Sequence, residues 1–242
     1  SSEERGTINR NLCIAGAGLP PTALVRQISV TKAVDDLGNI LGSSATGSSA
    51  AASLALIRGQ TMLRGGSRAG LLTGQAALAA SVRKAESLQY AEGTIELFLP
   101  SEANGSMIRI PNVMNHAGRI EDPALAKHGI EFHFLPDQAS YDEAKNQGAA
   151  GFQARATPPD FPNGVGYSLR DPSGRLASHQ LQEANGTPIR INGNSYSGGS
   201  DNRTGTIRLP APLPADAQLV LFLAIPEAIK TVPFRVEDIA LP

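Results

Sequence analysis

Apolar residues recur in short runs, some alternating with polar ones and some continuous: Leu24 to Val34, Thr94 to Leu99, Met107 to Val113, Ile130 to Leu135, Val165 to Leu169, Thr206 to Leu209, Gln218 to Ile225 and Val232 to Ile239. Period-two alternation sends successive side chains to opposite faces of a sheet, and each run is short enough to be one strand. Glycine, proline, asparagine and aspartate fill the gaps and supply turn geometry. Pro100, Pro111, Pro136, Pro210, Pro226 and Pro233 fall at or near run ends, where a missing N–H does not interrupt a central ladder. The pattern predicts an all-β chain.

Part of the pattern occurs twice. An apolar run, an Asp, a Gly and a second apolar pair appear in residues 30–42 and again in 165–178. Gly93-Thr94-Ile95-Glu96-Leu97 is answered by Gly205-Thr206-Ile207-Arg208-Leu209, and each is followed by a further run, Met107 to Ile110 and Leu219 to Ile225. Four elements in one order predict a duplicated module. The boundaries that follow are 1–122 and 123–242, meeting at the Glu121-Asp122-Pro123 turn.

The copies differ most between Gly42 and Gln89, an Ala-, Gly- and Ser-rich stretch with no acid from Leu37 through Ala85. Within this insertion, 42–89, the spacing of Leu71, Leu72, Ala76, Leu78, Ala79 and Val82 predicts a short amphipathic helix over Leu71 to Leu88. The remainder reads as a flexible insertion, with a partner chain or the module's own sheets as the two surfaces that could hold it.

Composition narrows the function classes. Hydrophobic residues make up 41% of the 242 positions, but aromatics only 5%, with no Trp, so the cores rest on Leu, Ile, Val and Ala. A balance of 21 basic against 22 acidic residues leaves a formal charge of −1, which provides no general field for nucleic acid or anionic lipid. No run approaches the roughly 18 apolar residues of a membrane span. The single cysteine, Cys13, permits no intrachain disulfide and reads as a small hydrophobe.

Candidate chemistry is sparse. Asp35, Asp36 and Asn39 form one oxygen-rich group, and Asp171 with Asp201 and Asn202 a second. Calcium would need about 6–8 oxygen ligands, and neither group has calcium-loop spacing, so turn capping is the simpler role. Among His116, His128, His133 and His179, the close pair His128 and His133 would fall on opposite faces of a strand, which is wrong for shared metal ligation. No Gly-x-Ser-x-Gly elbow is present. Glu96, Glu102, Asp137, Asp142 and Glu143 read as solvated faces, and Gly193 to Gly205 as a long hairpin loop. Asn104, Asn185 and Asn202 open Asn-x-Ser/Thr sequons and so predict exposed loops. The expectation is no catalytic, cofactor-binding or metal site and no cofactor.

Both ends bear on assembly. Val232, Phe234, Val236 and Ile239 alternate with polar residues as the closing strand of the second module. Residues 1–21 read either as the first strand of module one or as an arm that adds to a neighbour's sheet edge. The start at Ser1 fits removal of a leader peptide and thus a secreted or cell-envelope location.

The segment Val30-Thr31-Lys32-Ala33-Val34-Asp35-Asp36-Leu37-Gly38-Asn39, taken with Val232-Pro233-Phe234 and Asp238-Ile239-x-Leu241-Pro242, resembles immunoglobulin-like β-sandwich modules of exported bacterial proteins. About a quarter of the chain carries the resemblance, and its motifs are hairpins and a closing strand rather than a catalytic signature. It implies two tandem immunoglobulin-like modules. The function expected is a non-enzymatic structural or assembly subunit that meets protein partners, or copies of itself, through 42–89, the N-terminal arm and exposed strand edges. The alternative is an extracellular glycan- or calcium-binding module using the loops around Asp35, Asp171 and Asn194, and a hydrolase with scattered carboxylates is a distant third.

Overall fold

The computed structural model describes residues 7–15, 22–41, 71–79, 85–199 and 201–240. These are predominantly antiparallel β-strand, as the hydrophobic pattern predicts, and each of the eight apolar runs contains strand residues. The chain divides into two units, Ser1–Pro100 with Pro226–Pro242, and Ser101–Ile225. This corrects the expected division at 122/123: the last strand returns to the first unit instead of closing the second.

The first unit holds β1 (Thr7–Ala15), β2 (Leu24–Asp35), β3 (Ile40–Leu41), β4 (Leu71–Ala79), β5 (Ser87–Phe98) and β14 (Ile229–Ala240). Four of them form a sheet in the order β14-β5-β2-β3. Along β5, Ala91, Gly93, Ile95 and Leu97 are buried while Glu92, Thr94 and Glu96 are partly exposed. Strand β14 sets Val236, Phe234 and Val232 opposite Ala91, Gly93 and Ile95, so its alternation matches the apolar face of β5. That match is why the C-terminus belongs here. The other face is polar, with Arg26 paired to Glu96 at 2.7 Å, and with Tyr90 flanked by Lys32 (5.4 Å to the ring centre) and Arg235 (4.5 Å).

Strand β1 pairs with β4 over nine residues, from Thr7 opposite Ala79 to Ala15 opposite Leu71. The helix expected over Leu71 to Leu88 is therefore corrected to a strand followed by the start of β5. Gly74 and Thr73 lower the helical preference of the segment, and the β1 ladder supplies inter-strand partners for its backbone. Residues 42–70 and 80–84 of the expected insertion lie outside the described residues.

The second unit contains β6 (Met107–Ile110), a 3-10 turn at Val113–Asn115, β7 (Gly118–Arg119), α1 (Pro123–Lys127), β8 (Glu131–Leu135), α2 (Gln138–Gln147), β9 (Gly164–Arg170), β10 (Leu176–Gln182), β11 (Gly193–Gly198), β12 (Asn202–Arg208) and β13 (Gln218–Leu223). One sheet runs β11-β12-β9-β8-β7 and another β10-β13-β6. Every residue of β13 is buried, as its unbroken Leu-Val-Leu-Phe-Leu run implies for a strand covered on both faces. Helix α2 packs on Leu135 of the five-stranded sheet through Tyr141 and Ala144.

The sequence repeat is partly structural. Gly93 lies opposite Val30 on β2 and Gly205 opposite Tyr167 on β9, so the two copies share a paired-strand core. Their glycines serve different close approaches. A Cβ on Gly93 would sit 2.0 Å from the Ser29 carbonyl oxygen at a bulge in β2, and one on Gly205 would sit 2.2 Å from Tyr167 Cζ. The last matched pair breaks the analogy, because β6 and β13 are neighbours in one sheet. Gly193 to Gly205, expected as a loop, is mostly the β11–β12 hairpin.

Candidate functional site

The two Asp groups are the same turn built twice. Asp35 ends β2 and Asp171 follows β9, and both are buried, at 0% and 1% exposure. In each, the Asp carbonyl accepts from a glycine three residues on, Gly38 at 3.0 Å and Gly174 at 3.0 Å, and both glycines have positive φ. Each carboxylate then accepts from the backbone four residues on: Asn39 N donates to Asp35 Oδ1 at 2.7 Å, and Arg175 N to Asp171 Oδ1 at 3.0 Å. Leu37 N and the Asn39 side-chain amide also donate to Asp35, while Leu176 N and Ser173 Oγ donate to Asp171. These oxygens cap backbone donors that burial would otherwise leave unsatisfied.

The remaining acidic candidates do not converge on them. Asp36 is exposed and accepts from Glu86 N at 3.1 Å, and Asp201 meets Asp171 through its backbone carbonyl. Among the described residues no group of three or more His, Cys, Asp or Glu is arranged to hold a metal ion. Of the sequon asparagines, Asn185 and Asn202 are exposed, Asn202 opening β12. Asn104 is half-buried in a turn whose Glu102, Ala103 and Gly105 are exposed, and its side-chain oxygen accepts from Ser101 N and Ser106 N.

The histidines are separate. His116 is exposed, His128 caps α1 with Nδ1 3.3 Å from Arg175 Nη1, and His133 lies on β8. His128 thus lies outside the strand that carries His133. Burial, reinforced by the Arg119 charge, lowers the His133 pKa. His179 on β10 reaches the rings of β8 and β9, its centroid 4.6 Å from Tyr167 and 6.0 Å from Phe132. Part of the residue meets solvent, but Nδ1 is covered and has no hydrogen-bond partner. Burial and then the Arg203 charge push its pKa down to about 4, so it is a neutral core ring at ordinary pH. The alternation Leu176, Ser178, Gln180 against Ala177, His179, Leu181 was the available signal for this placement.

Surface features are better defined. Leu37 and Ile40 stand 59% and 72% exposed at the tip of the β2–β3 hairpin, on the backbone that Asp35 fixes. Tyr196 is 63% exposed on β11, the outer strand of the five-stranded sheet. No family model, curated protein or solved structure matches this chain.

Proposed function

We propose that the chain is a non-enzymatic structural or assembly subunit of an exported or cell-envelope assembly, built from immunoglobulin-like β-sandwich layers and acting through protein contacts. The observation that carries this reading is the hairpin tip. Single exposed aliphatic residues are ordinary, but Leu37 and Ile40 form a pair on a turn whose backbone is held by a buried carboxylate. An apolar tip fixed before contact loses little entropy when a neighbour covers it. The pairing of β1 with β4 joins two of the expected contact regions, the N-terminal arm and part of 42–89, into one ribbon.

The competing calcium reading asks Asp35 and Asp171 to surrender the hydrogen bonds that form their turns. Light scattering on the full chain across a concentration series tests the proposal. The expected mass rises above the 25.2 kDa monomer, and Leu37→Asp with Ile40→Asp lowers the association. A strict monomer at the highest concentration, with the hairpin tip and edge strands exchanging freely, overturns it. A melting temperature raised by calcium or a glycan would favour the ligand-binding reading instead.

A further inference from the structure

Several sheet edges among the described residues are protected in different ways. The edge strands β3 and β7 are two residues long, and β14 carries Pro233 with Lys230, Arg235, Glu237 and Asp238. Strand β10 is bridged at Gln182 by Pro188, and Ile189 N donates to Leu181 O beside it. Short length, charge, proline and cover are the usual defences against strand addition. Among the described residues strand β11 shows none of them. Its six residues, Gly193-Asn194-Ser195-Tyr196-Ser197-Gly198, contain no charge and no proline, and most are exposed. Among the described residues its backbone bonds only to β12.

We propose that two copies of this chain associate through β11, antiparallel about a two-fold axis at Tyr196, joining their five-stranded sheets into one. The proposal rests on the assembly reading above and names its partner. Three observations favour a second copy over a different protein. A two-fold contact must be self-complementary, and this strand nearly is: the axis sets Tyr196 against Tyr196, Ser195 against the second copy's Ser197, and Asn194 against the second copy's Gly198. With no charge on the strand, the symmetric pairing opposes no like charges, and the whole chain's formal charge of −1 adds little repulsion. Finally, a cross-strand row of Phe134, Tyr167, Gly205 and Tyr196 runs outward through the sheet, with the Tyr167 ring over Gly205. The row stops at an exposed tyrosine, and the second copy's Tyr196 is its next member.

Six-residue edge pairing buries an area at the small end of specific interfaces, below about 1,200 Å², so the association is transient and shows at high concentration. Sedimentation equilibrium on the full chain, compared with Tyr196→Lys, Tyr196→Phe and the double variant Cys13→Ser/Tyr196→Cys, tests it. The native chain and Tyr196→Phe are expected to approach twice the monomer mass, and Tyr196→Lys to need at least about tenfold more protein. Paired residues lie about 4.5–5.5 Å apart between Cα atoms, within disulfide range, so the oxidised cysteine variant is expected to become a covalent dimer. Association that Tyr196→Lys leaves unchanged, with no disulfide at position 196, overturns the β11 contact while leaving the assembly reading standing. A chain that stays monomeric at every concentration overturns both.

Discussion

Asp35 and Asp171 show how a residue type associated with chemistry can serve the backbone instead. Their carboxylates satisfy N–H groups at the end of a strand, and removal of either leaves donors without partners in a buried turn. Asp171→Ala is expected to cost roughly 2–3 kcal/mol in urea unfolding, against less than about 1 for exposed Asp36→Ala. His179 makes a prediction in pH. Its pKa falls from 6.5 in the unfolded chain to about 4 in the fold, so the unfolded state binds the proton first. Its contribution is complete above pH 6.5 and is lost as pH falls towards 4, a total of roughly 3 kcal/mol. Denaturation at pH 7 and pH 4 is expected to show that loss in the native chain and a smaller one in His179→Phe. The remaining slope in the variant includes His133, whose shift has the same sign.

At the scale of elements, strands were more legible than their surroundings. Alternating runs such as Thr94 to Leu99 carry a face preference that a sheet satisfies directly. Leu71 to Leu88 misled because Leu and Ala suit helix and strand alike, and only the distant pairing of Leu71–Ala79 with Thr7–Ala15 decides between them. Helix α2 was missed although its signals were present. Asp137 accepts from Ser140 N at 2.8 Å, the Ser140 hydroxyl faces Asp137 N, and Gly148 ends the helix in left-handed geometry. Asp142 and Glu143, read as solvated faces, accept from Gln138 and Gln147 one turn away. Asp137→Ala is expected to cost about 1 kcal/mol, read as a lower urea midpoint with an unchanged slope. Little of the candidate site was legible: Asp turns could be identified from Asp-x-x-Gly, but the exposure of Leu37, Ile40 and Tyr196 depends on which strands lie at an edge.

For the whole molecule, the sequence repeat identified corresponding strands without indicating how the chain closes. Gly93 and Gly205 occupy matching places, yet β14 crosses back over the entire second unit in sequence to pair with β5. Such long-range pairing leaves only a weak local trace, because Val232, Phe234 and Val236 would fit many apolar strand faces. The functional account is likewise a statement about surfaces, with the hairpin tip and β11 offered to neighbours while the buried carboxylates and His179 serve the interior. Amide hydrogen exchange on the full chain at low and high protein concentration tests that account most directly. Added protection at high concentration is predicted for residues 193–198 and 37–40, with the buried strand β13 unchanged. Identical exchange at both concentrations throughout 193–198 and 37–40 would contradict it.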